Sequence, residues 1–457
     1  MKKKLIICFP LEIKSREFYP KLCLAYSLLK TKKIDIVIGD KKNFFIDFDK
    51  SKNLIFFYKG GGLHLLNFFK AISKNNYFFN LDEEGPISLF LKRDLDLKIN
   101  KTINKYIKKI FLWGNFDKEA YKLKDNFEKK KFHVFGHPKF DVLQKPFVRL
   151  FSKEYKFIKK NYKNFVFIPS HYTVDNVIDD QNYYLYIENL YKRDVKKQLL
   201  EENFKYLNFV SVVKLIAENN PKKLFIFRPH PGQSIDKVKK TFGKIPRNLK
   251  IIFKYTVTPW IMACDDFIHS GCTTVFEAVK LKKRITYISN YDNCDVVWSK
   301  IGKRLDAKQK KKILKHFETN LNKFKSSNNK YLENLVKNLT TKKSFNSQFV
   351  QFLKNEDYFS KNSRLFVRNY NLKKNFLNIL LSNLKYHLLK IRIIAKIMAN
   401  IDPSLVFSKD LKDSKFTKTN KKEIREKLQL ISKFDNSKDK FKVQDLNGHM
   451  FKISRLN

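Results

Sequence analysis

Short apolar runs rich in Phe, Ile and Val alternate along this chain with longer amphipathic stretches, and the alternation starts afresh near residue 164. In the first half the runs predict strands at 5–9, 34–38, 54–58, 77–81, 110–113 and 132–135, and the clearest helical pattern lies at 18–30. Strands that alternate with helices in this way are typical of βαβ units on a parallel sheet. The first half is therefore predicted to form one doubly wound α/β domain.

The second round of alternation begins with "NFVFIPS" at 164–170 and continues with a long helical region to about residue 219. Further strands are predicted in "KLFIFR", "KIIFK", "DFIHSG" and "RITYIS", and helices in "TPWIMACD" and "TTVFEAVKL". We therefore expect two Rossmann-like domains, 1–150 and 151–320, that face a cleft. In such sheets ligands bind beyond the carboxyl ends of the strands.

Beyond residue 320 the alternation disappears, and a basic, mainly helical extension is predicted at 321–457. Residues 376–398 place apolar side chains at helical spacing with Lys and Arg between them. This pattern favours a helix packed on the domains, with an interfacial membrane helix as the alternative. The charged tail from residue 408 is expected to be partly disordered.

The composition supplies enough apolar residues, 43%, for two cores, and a formal net charge of +51. The excess is mostly Lys spread over the whole length, whereas nucleic-acid modules show basic clusters within recognisable motifs. We therefore expect no nucleic-acid partner, although the charge permits contact with an acidic membrane surface. Five scattered cysteines without a C-x-x-C pair are typical of a reducing compartment and predict no structural zinc.

The N-terminus, "MKKKLIICFPLEIK", begins like a signal peptide, but Pro10 and Glu12 cut its apolar run short. It is better interpreted as a buried first strand. No stretch approaches the roughly 20 apolar residues that cross a bilayer. The sequence therefore predicts a cytoplasmic protein, in possible contact with the inner face of the membrane.

The first candidate loop, "LDEEGP" at 81–86, ends a predicted strand with three acids. Successive side chains at a strand end diverge, so only one of the acids can point at a given substrate. Glu83 or Glu84 is the candidate general base, and Gly85 permits close backbone approach. A solvated turn is the alternative.

The second loop, "FRPHPGQS", holds His230 between two prolines that restrict the backbone directly after a strand. A protonated imidazole there could bind a phosphate or protonate a leaving group. A structural loop histidine is the alternative.

The third loop, "HSGCTTVFEA", runs from a strand into hydroxyl residues that open a helix, with Thr273 or Thr274 as the N-cap. Free N–H groups and the helix dipole predict a phosphate cradle that needs no metal. Helix capping alone would explain the same composition.

Two weaker candidates lie elsewhere. "RDLD" at 93–96 contains an Asp-x-Asp, but it falls in a helical stretch and is a poor metal site. Arg16, in the first strand-to-helix loop, is predicted to face the cleft, with a surface salt link as the alternative.

Seven stretches together resemble the GT-B glycosyltransferases of bacterial surface polysaccharide synthesis, and most of all the surface carbohydrate biosynthesis proteins. They are "EIKSREF", "LAYSLL", "DEEG", "FLWGNFD", "GHPKFDVL", "FRPHP" and "HSGCTTVFEA". The three loops are also similar to the D/E-D/E-G, H-P and S-S/T motifs of bacterial sialyltransferases and polysialyltransferases. The inserted Gly271 and Cys272 depart from the plain hydroxyl motif.

The resemblance implies a GT-B fold and an inverting glycosyltransferase that uses a nucleotide sugar, CMP-linked, and a glycan or lipid-linked glycan acceptor. It implies neither a cofactor nor a metal. Glu83 or Glu84 would then deprotonate the acceptor. The donor phosphate would be bound by His230, Arg228, Ser270, Thr273 and Thr274.

Three other functions stay open at this point. A CDP-alcohol polyol-phosphate transferase can use a similar fold and similar loops. A sugar-nucleotide epimerase of the same shape needs no acceptor. A non-enzymatic basic protein that docks on membranes would not depend on His230.

Overall fold

The computed structural model describes residues 4–41, 44–60, 66–87, 95, 98–123, 128–172, 196–289, 297–318, 329–367 and 419–456. The chain divides into two compact units. Unit 1 comprises Met1–Lys153, Ser326–Tyr370 and Lys418–Asn457, and unit 2 comprises Glu154–Lys325 and Asn371–Thr417.

The strands are β1 (Leu5–Leu11), β2 (Ile34–Asp40), β3 (Leu54–Tyr58), β4 (Tyr77–Leu81), β5 (Lys109–Leu112), β6 (Phe132–Val134), β7 (Phe165–Pro169), β8 (Leu224–Arg228), β9 (Leu249–Ile251), β10 (Asp266–His269), β11 (Arg284–Ser289), β12 (Lys303–Asp306), β13 (Phe441–Asp445) and β14 (Met450–Arg455). The helices are α1 (Lys14–Leu29), α2 (Leu66–Ser73), α3 (Lys101–Asn104), α4 (Asn115–Lys122), α5 (Ser152–Asn161), α6 (Lys196–Glu218), α7 (Ile235–Phe242), α8 (Val257–Ala263), α9 (Val275–Lys280), α10 (Lys310–Glu318), α11 (Asn329–Leu335), α12 (Phe345–Asn355) and α13 (Lys421–Phe434).

The described part of unit 1 contains a sheet in the order β13-β14-β2-β1-β3-β4-β5-β6. The strands from β2 to β6 are parallel, and every residue of β1 is buried. A strand buried on both faces reads as a continuous apolar run, which is why the sequence pattern located it. β1 runs two residues beyond its predicted end because its pairing with β2 continues to Leu11 and Asp40.

The described residues 329–367 and 419–456 belong to unit 1, which differs from the separate extension predicted at 321–457. Helix α12 places Phe345, Phe349 and Phe352 on one face, where they pack against aromatic rings of the central strands. Strand β14 pairs antiparallel with β2 and extends the sheet.

The disorder expected from residue 408 is not observed at 419–456, which form α13 and the β13-β14 hairpin. Gly39 permits the hairpin to dock, because a Cβ at this position would overlap the carbonyl oxygen of His449. The apolar segment predicted at 376–398 lies outside the described residues.

Unit 2 contains a parallel sheet in the order β12-β11-β10-β7-β8-β9. The long helix predicted before residue 219 is α6, and its inward face packs with the strands in an apolar core. Of the helices that the structure describes, none is both long and apolar enough to cross a membrane.

Both sheets contain a switch point, where the strand order reverses direction. In unit 1 it lies between β1 and β3, and in unit 2 between β7 and β10. Loops diverge from the carboxyl ends of the strands at such a point and leave a crevice that binds ligands in doubly wound folds.

Candidate functional site

Four polar residues lie at the switch point of unit 2 and form what we call the polar site. Ser170, His171 and Tyr172 follow the end of β7, and Ser270 follows the end of β10. The hydroxyl oxygens of Tyr172 and Ser270 lie 3.0 Å apart. The loops on the two sides of the switch point are therefore joined by a pair of hydroxyl groups.

Two buried atoms of the polar site have no hydrogen-bond partner in the described structure. They are the Oγ of Ser170, whose side chain is only 5% exposed, and the Nδ1 of His171. Burial lowers the pKa of His171 to about 4, so its imidazole is neutral near pH 7. Because buried polar groups in native proteins are nearly always paired, these atoms mark a place where a ligand can supply the missing hydrogen bonds.

His269, the last residue of β10, shapes the loop that carries Ser270. Its Nδ1 accepts a hydrogen bond from the N–H of Gly271 at 3.3 Å, so the ring proton lies on Nε2. Nε2 lies 3.1 Å from the carbonyl oxygen of Ile301 and donates to it. His269 is thus a structural histidine that fixes the direction of the loop.

Lowering the pH is expected to destabilise unit 2 through this histidine. Burial lowers the pKa of His269 to about 3 in the folded protein, against 6.5 for the ordinary side chain. Its contribution to stability is complete above pH 6.5 and is lost as the pH falls towards 3. The loss is about 1.4 kcal/mol per pH unit, because only the unfolded chain takes up the proton.

The measurement is urea unfolding of the wild type and of His269→Gln at pH 7, 6 and 5. Gln keeps a donor for Ile301 but does not titrate, so the stability of the variant should fall less steeply with acid. Identical slopes for the two proteins would contradict the assignment.

The predicted phosphate cradle at the start of α9 differs from the observed structure. The helix has six residues, and the N–H groups of Val275, Phe276 and Glu277 already donate to the carbonyl oxygens of Cys272, Thr273 and Thr274. These three N–H groups are therefore not open to a phosphate.

The hydroxyl residues of that loop are partly buried, and Thr274 stands at the N-cap without a side-chain capping bond. Its Oγ1 lies 2.9 Å from the sulfur of Cys272 instead. Among the three predicted hydroxyl ligands, Ser270 is the one that the structure places in the polar site, while roles for Thr273 and Thr274 stay predictions.

His230 lies in a tight loop directly after β8, as its two flanking prolines predict. Its backbone N–H donates to Oε1 of Gln233 at 2.8 Å, and its Nδ1 accepts from the N–H of Gly232 at 3.1 Å. The ring proton is therefore on Nε2.

Arg228 is placed differently from the phosphate ligand that the resemblance implies. Its guanidinium donates to the carbonyl oxygens of Lys254 and Tyr255 at 2.8 and 2.6 Å and lies 4.6 Å from the ring centre of Phe253. The side chain is only 6% exposed. Arg228 therefore braces the loop after β9, in which Tyr255 has a φ of 61°.

In unit 1, Glu83 lies inside a buried group of ionisable residues. Its Oε1 is 3.2 Å from Nζ of Lys21, and its Oε2 is 3.1 Å from Nε2 of His137. Lys21 also contacts Oε2 of Glu17 at 2.9 Å and donates to the carbonyl oxygen of Pro10 at 2.9 Å. We call Glu17, Lys21, Glu83 and His137 the Lys21 network.

The charges of the Lys21 network follow from burial and pairing. Burial by itself would raise the pKa of Glu83, but Lys21 and then His137 outweigh it, so the pKa lies below its ordinary value. Burial lowers the pKa of His137 more than Glu83 raises it, so the imidazole is neutral near pH 7. Glu83 is 3% exposed, so the structure favours a structural role for it over that of a base.

Glu84, the next residue, points outward and is 60% exposed. Its Oε1 lies 2.7 Å from Nζ of Lys59 and 3.7 Å from a guanidinium nitrogen of Arg16. Lys59 lowers the pKa of Glu84 to about 2, with burial opposing and Arg16 adding to the effect. Of the two candidate bases, Glu84 is the one that a substrate can reach.

Glu12 extends this group of charges across the switch point. Its Oε2 lies 3.2 Å from Lys59 and 3.4 Å from Lys41. We call Glu12, Arg16, Lys41, Lys59 and Glu84 the edge cluster. Its members follow the carboxyl ends of β1, β2, β3 and β4.

Three side chains hold the acidic loop at 81–86 and the residue after it through hydrogen bonds to the backbone. Nε1 of Trp113 donates to the carbonyl oxygen of Asp82 at 2.7 Å, and Lys98 donates to that of Gly85 at 3.0 Å. Asp117 accepts from the N–H of Ile87 at 2.7 Å. The φ of Gly85 is 140°, so the backbone turn by itself requires glycine at this position, and its close approach to a ligand stays a prediction.

Sequence reasoning missed several residues of both sites. His171 and Tyr172 directly follow a predicted strand, and this position could have singled them out. Lys21, Lys59 and His137 lie in quoted or adjacent stretches, but no local pattern indicates that they meet Glu83 or Glu84. Two of the weaker candidates, Asp94 and Asp96 of the Asp-x-Asp, lie outside the described residues.

A scan against protein-family models gives no match, and a search of the curated proteins gives no significant match. Solved structures do match. A protein from Listeria monocytogenes assigned as a UDP-N-acetylglucosamine 2-epimerase has a TM-score of 0.50 and 10% identity, covering 80% of this chain and 100% of its own. At this identity the match shows the fold alone.

The fold is GT-B-like.

Two further matches lie below that TM-score. The UDP-GlcNAc 2-epimerase of Methanocaldococcus jannaschii has a TM-score of 0.48 and 16% identity, covering 77% of this chain and 100% of its own. The wall teichoic acid polymerase TagF has a TM-score of 0.44 and 10% identity, covering 78% and 90%. The GT-B-like fold confirms the predicted class, two Rossmann-like domains.

Proposed function

We propose that this GT-B-like protein is a nucleotide-sugar-dependent glycosyltransferase of surface carbohydrate synthesis. The observation that carries the proposal is the polar site of unit 2, where a buried hydroxyl and a buried imidazole nitrogen lack partners at the switch point. Hydroxyl and neutral imidazole groups are suitable partners for the ribose and phosphate oxygens of a nucleotide. In this proposal unit 2 binds the donor.

Charge that develops on the leaving nucleotide needs hydrogen-bond donors. Nε2 of His230 carries a proton and is held by a stiff loop after β8. A preorganised donor of this kind stabilises an oxyanion without a metal. We therefore assign His230 to the donor phosphate and the hydroxyl pair of Tyr172 and Ser270 to neighbouring oxygens.

In unit 1 we assign the acceptor's deprotonation to Glu84 rather than to Glu83. Glu84 is exposed at the carboxyl edge of the sheet, whereas Glu83 is enclosed by Lys21 and His137. A carboxylate within hydrogen-bond reach of a hydroxyl can take its proton as the hydroxyl attacks the anomeric carbon. Displacement on the face opposite the leaving nucleotide would invert the configuration there.

A second candidate function is epimerisation of a nucleotide sugar without an acceptor. The Listeria monocytogenes protein that shares the fold at a TM-score of 0.50 is assigned to that reaction with UDP-N-acetylglucosamine. The resemblance of the three loops to sialyltransferase motifs favours CMP as the donor nucleotide instead. The two functions differ in their need for an acceptor.

The experiment that tests the donor site is a thermal-shift screen of the full-length protein with CMP, CDP, UDP and GDP. A nucleotide at 100 times its Kd stabilises the folded state by about 2.7 kcal/mol and raises the melting temperature. We expect one nucleotide to act on the wild type and to lose most of its effect in His171→Ala.

The matched control is His316→Ala, which removes another partly buried imidazole of unit 2, one that lies near Thr286. This variant should keep the full response. No response to any nucleotide, or an unchanged response in His171→Ala, would contradict the proposal. Incubation with the preferred nucleotide sugar alone, followed by product analysis, then separates epimerisation from transfer.

A further inference from the structure

We propose that the edge cluster is a receptor for a singly charged oxyanion on the acceptor, a carboxylate or a phosphodiester, and that Glu84 occupies this receptor while it is empty. The inference rests on the proposed transfer function and adds the class of acceptor. It concerns unit 1 alone, so it can be tested apart from the nucleotide.

The cations of the edge cluster are set into the structure, whereas the carboxylate of Glu84 is not. The side chains of Lys59, Lys41 and Arg16 are 18%, 26% and 27% exposed, and that of Glu84 is 60% exposed. A partly buried cation keeps its place, while an exposed carboxylate can rotate into solvent at low cost. This difference in exposure between the cations and Glu84 is what we expect of a fixed receptor that holds an exchangeable anion.

Arg16 has hydrogen-bonding capacity that the described residues do not use. One of its terminal nitrogens donates to Glu17 at 3.3 Å, and the other lies 3.7 Å from Glu84, beyond ordinary hydrogen-bond distance. Its Nε has no hydrogen-bond partner. Because a guanidinium binds oxyanions best through two parallel N–H groups, Arg16 is better suited to an incoming oxyanion than to its present contact.

The charges decide how many negative charges the ligand carries. Lys21 and the edge cluster supply four cations: Arg16, Lys21, Lys41 and Lys59. Four carboxylates face them: Glu12, Glu17, Glu83 and Glu84. Lys98, which also lowers the pKa of Glu84, is matched by Asp82 at 2.7 Å. With this pair included and His137 neutral the group is balanced, so displacement of Glu84 leaves one excess positive charge. A single negative charge on the ligand restores the balance.

Displacement has a chemical consequence for the proposed base. While Glu84 contacts Lys59, the carboxyl of Glu84 has a pKa of about 2 and is a weak base. An anion that takes over Lys59 and Arg16 removes this effect, so the pKa of Glu84 rises towards its ordinary value. Binding of an anionic acceptor would thus activate the group that deprotonates it.

The test compares matched probes by calorimetry on the full-length protein. The probes are glucuronate against glucose, and glycerophosphoglycerol against glycerol. We expect one or both anionic probes to bind the wild type more tightly than the neutral counterpart, and the stronger of them identifies the oxyanion. If the anionic and the neutral member bind equally in each of the two pairs, the proposal is wrong.

Variants separate the receptor from general charge attraction. Glu84→Gln, which removes the internal competitor, is expected to raise the affinity for the anionic probe by about tenfold, and Lys59→Gln to lower it by about tenfold. Lys59→Arg keeps the charge and should retain binding. The exposed pair Glu119 and Lys122, 2.8 Å apart, provides control variants that should change affinity less than twofold.

Circular dichroism checks that each variant is folded. If Glu84→Gln leaves the affinity unchanged or lowers it, Glu84 does not occupy the receptor and the proposal is wrong. If nucleotides raise the melting temperature normally but the anionic and neutral probes bind equally, the receptor proposal is wrong and the transferase proposal is unaffected. If the anionic probes bind more tightly than the neutral ones but no nucleotide raises the melting temperature, the transferase proposal is wrong, while the edge cluster still binds an oxyanion.

Discussion

Replacing Lys21 by methionine is expected to lower the free energy of unfolding by about 3–5 kcal/mol. The Lys21 side chain is 2% exposed and contacts Glu17 and Glu83, which are themselves almost fully buried. Methionine fills a similar volume but removes the buried cation that Glu17 and Glu83 share, leaving Glu83 beside a neutral His137 and Glu17 beside the more distant Arg16 at 3.3 Å. An unpaired buried charge costs far more than the pair contributes.

The measurement is urea unfolding followed by circular dichroism. Lys30→Met is the matched control, because Lys30 also pairs with an acid, Asp435 at 2.7 Å, but is 48% exposed. Exposed pairs contribute about 0–1 kcal/mol. The double variant Lys21→Met with Glu83→Gln should recover part of the loss. A loss below 1 kcal/mol for Lys21→Met would show that the Lys21 network is not held by this charge.

Replacing Glu84 by glutamine is expected to lower turnover by about 10²–10⁴-fold with the donor that the nucleotide screen selects. Glutamine keeps the size of the side chain but cannot accept the acceptor proton. The same change at Glu83 should lower stability, because Lys21 and His137 lose their common carboxylate. Its effect on turnover of the folded protein should stay below tenfold.

The comparison of these two variants decides which acid of the loop acts as the base. Glu119→Gln, on the exposed surface of α4, is the control and should retain full turnover. Turnover should be measured over a range of pH, because loss of the base removes the limb in which activity rises with pH. A large loss in Glu83→Gln with little loss in Glu84→Gln would reverse our assignment.

The fold class was accessible from the sequence because it depends on periodicity. Strands at 54–58, 77–81 and 284–289 were predicted with their observed bounds. These strands lie in parallel sheets and are almost wholly buried, so their apolar runs stand out between helical patterns. The loops after them were found for the same reason, since each loop begins where an apolar run ends.

The sequence of the C-terminal part contains no periodic pattern that would assign it to unit 1. Strand β14 pairs with β2, and the partners Met450 and Gly39 are separated by most of the chain. Asp141 likewise accepts from the N–H groups of Phe345 and Asn346 and so caps α12 from a distant loop. Pairings of this kind leave no local periodicity, so the segment could be predicted as helical but not assigned to unit 1.

The sequence by itself determined that three acids follow β4, among them the adjacent Glu83 and Glu84, that a histidine follows β8 and that hydroxyl residues follow β10. Only the tertiary structure decided that Glu83 turns inward to Lys21 and His137 while Glu84 turns outward to Lys59. Neighbouring residues of the same type are equivalent in a pattern. They differ once folding places a buried cation beside one and a partly exposed cation beside the other, because charge pairing acts through space and not along the chain.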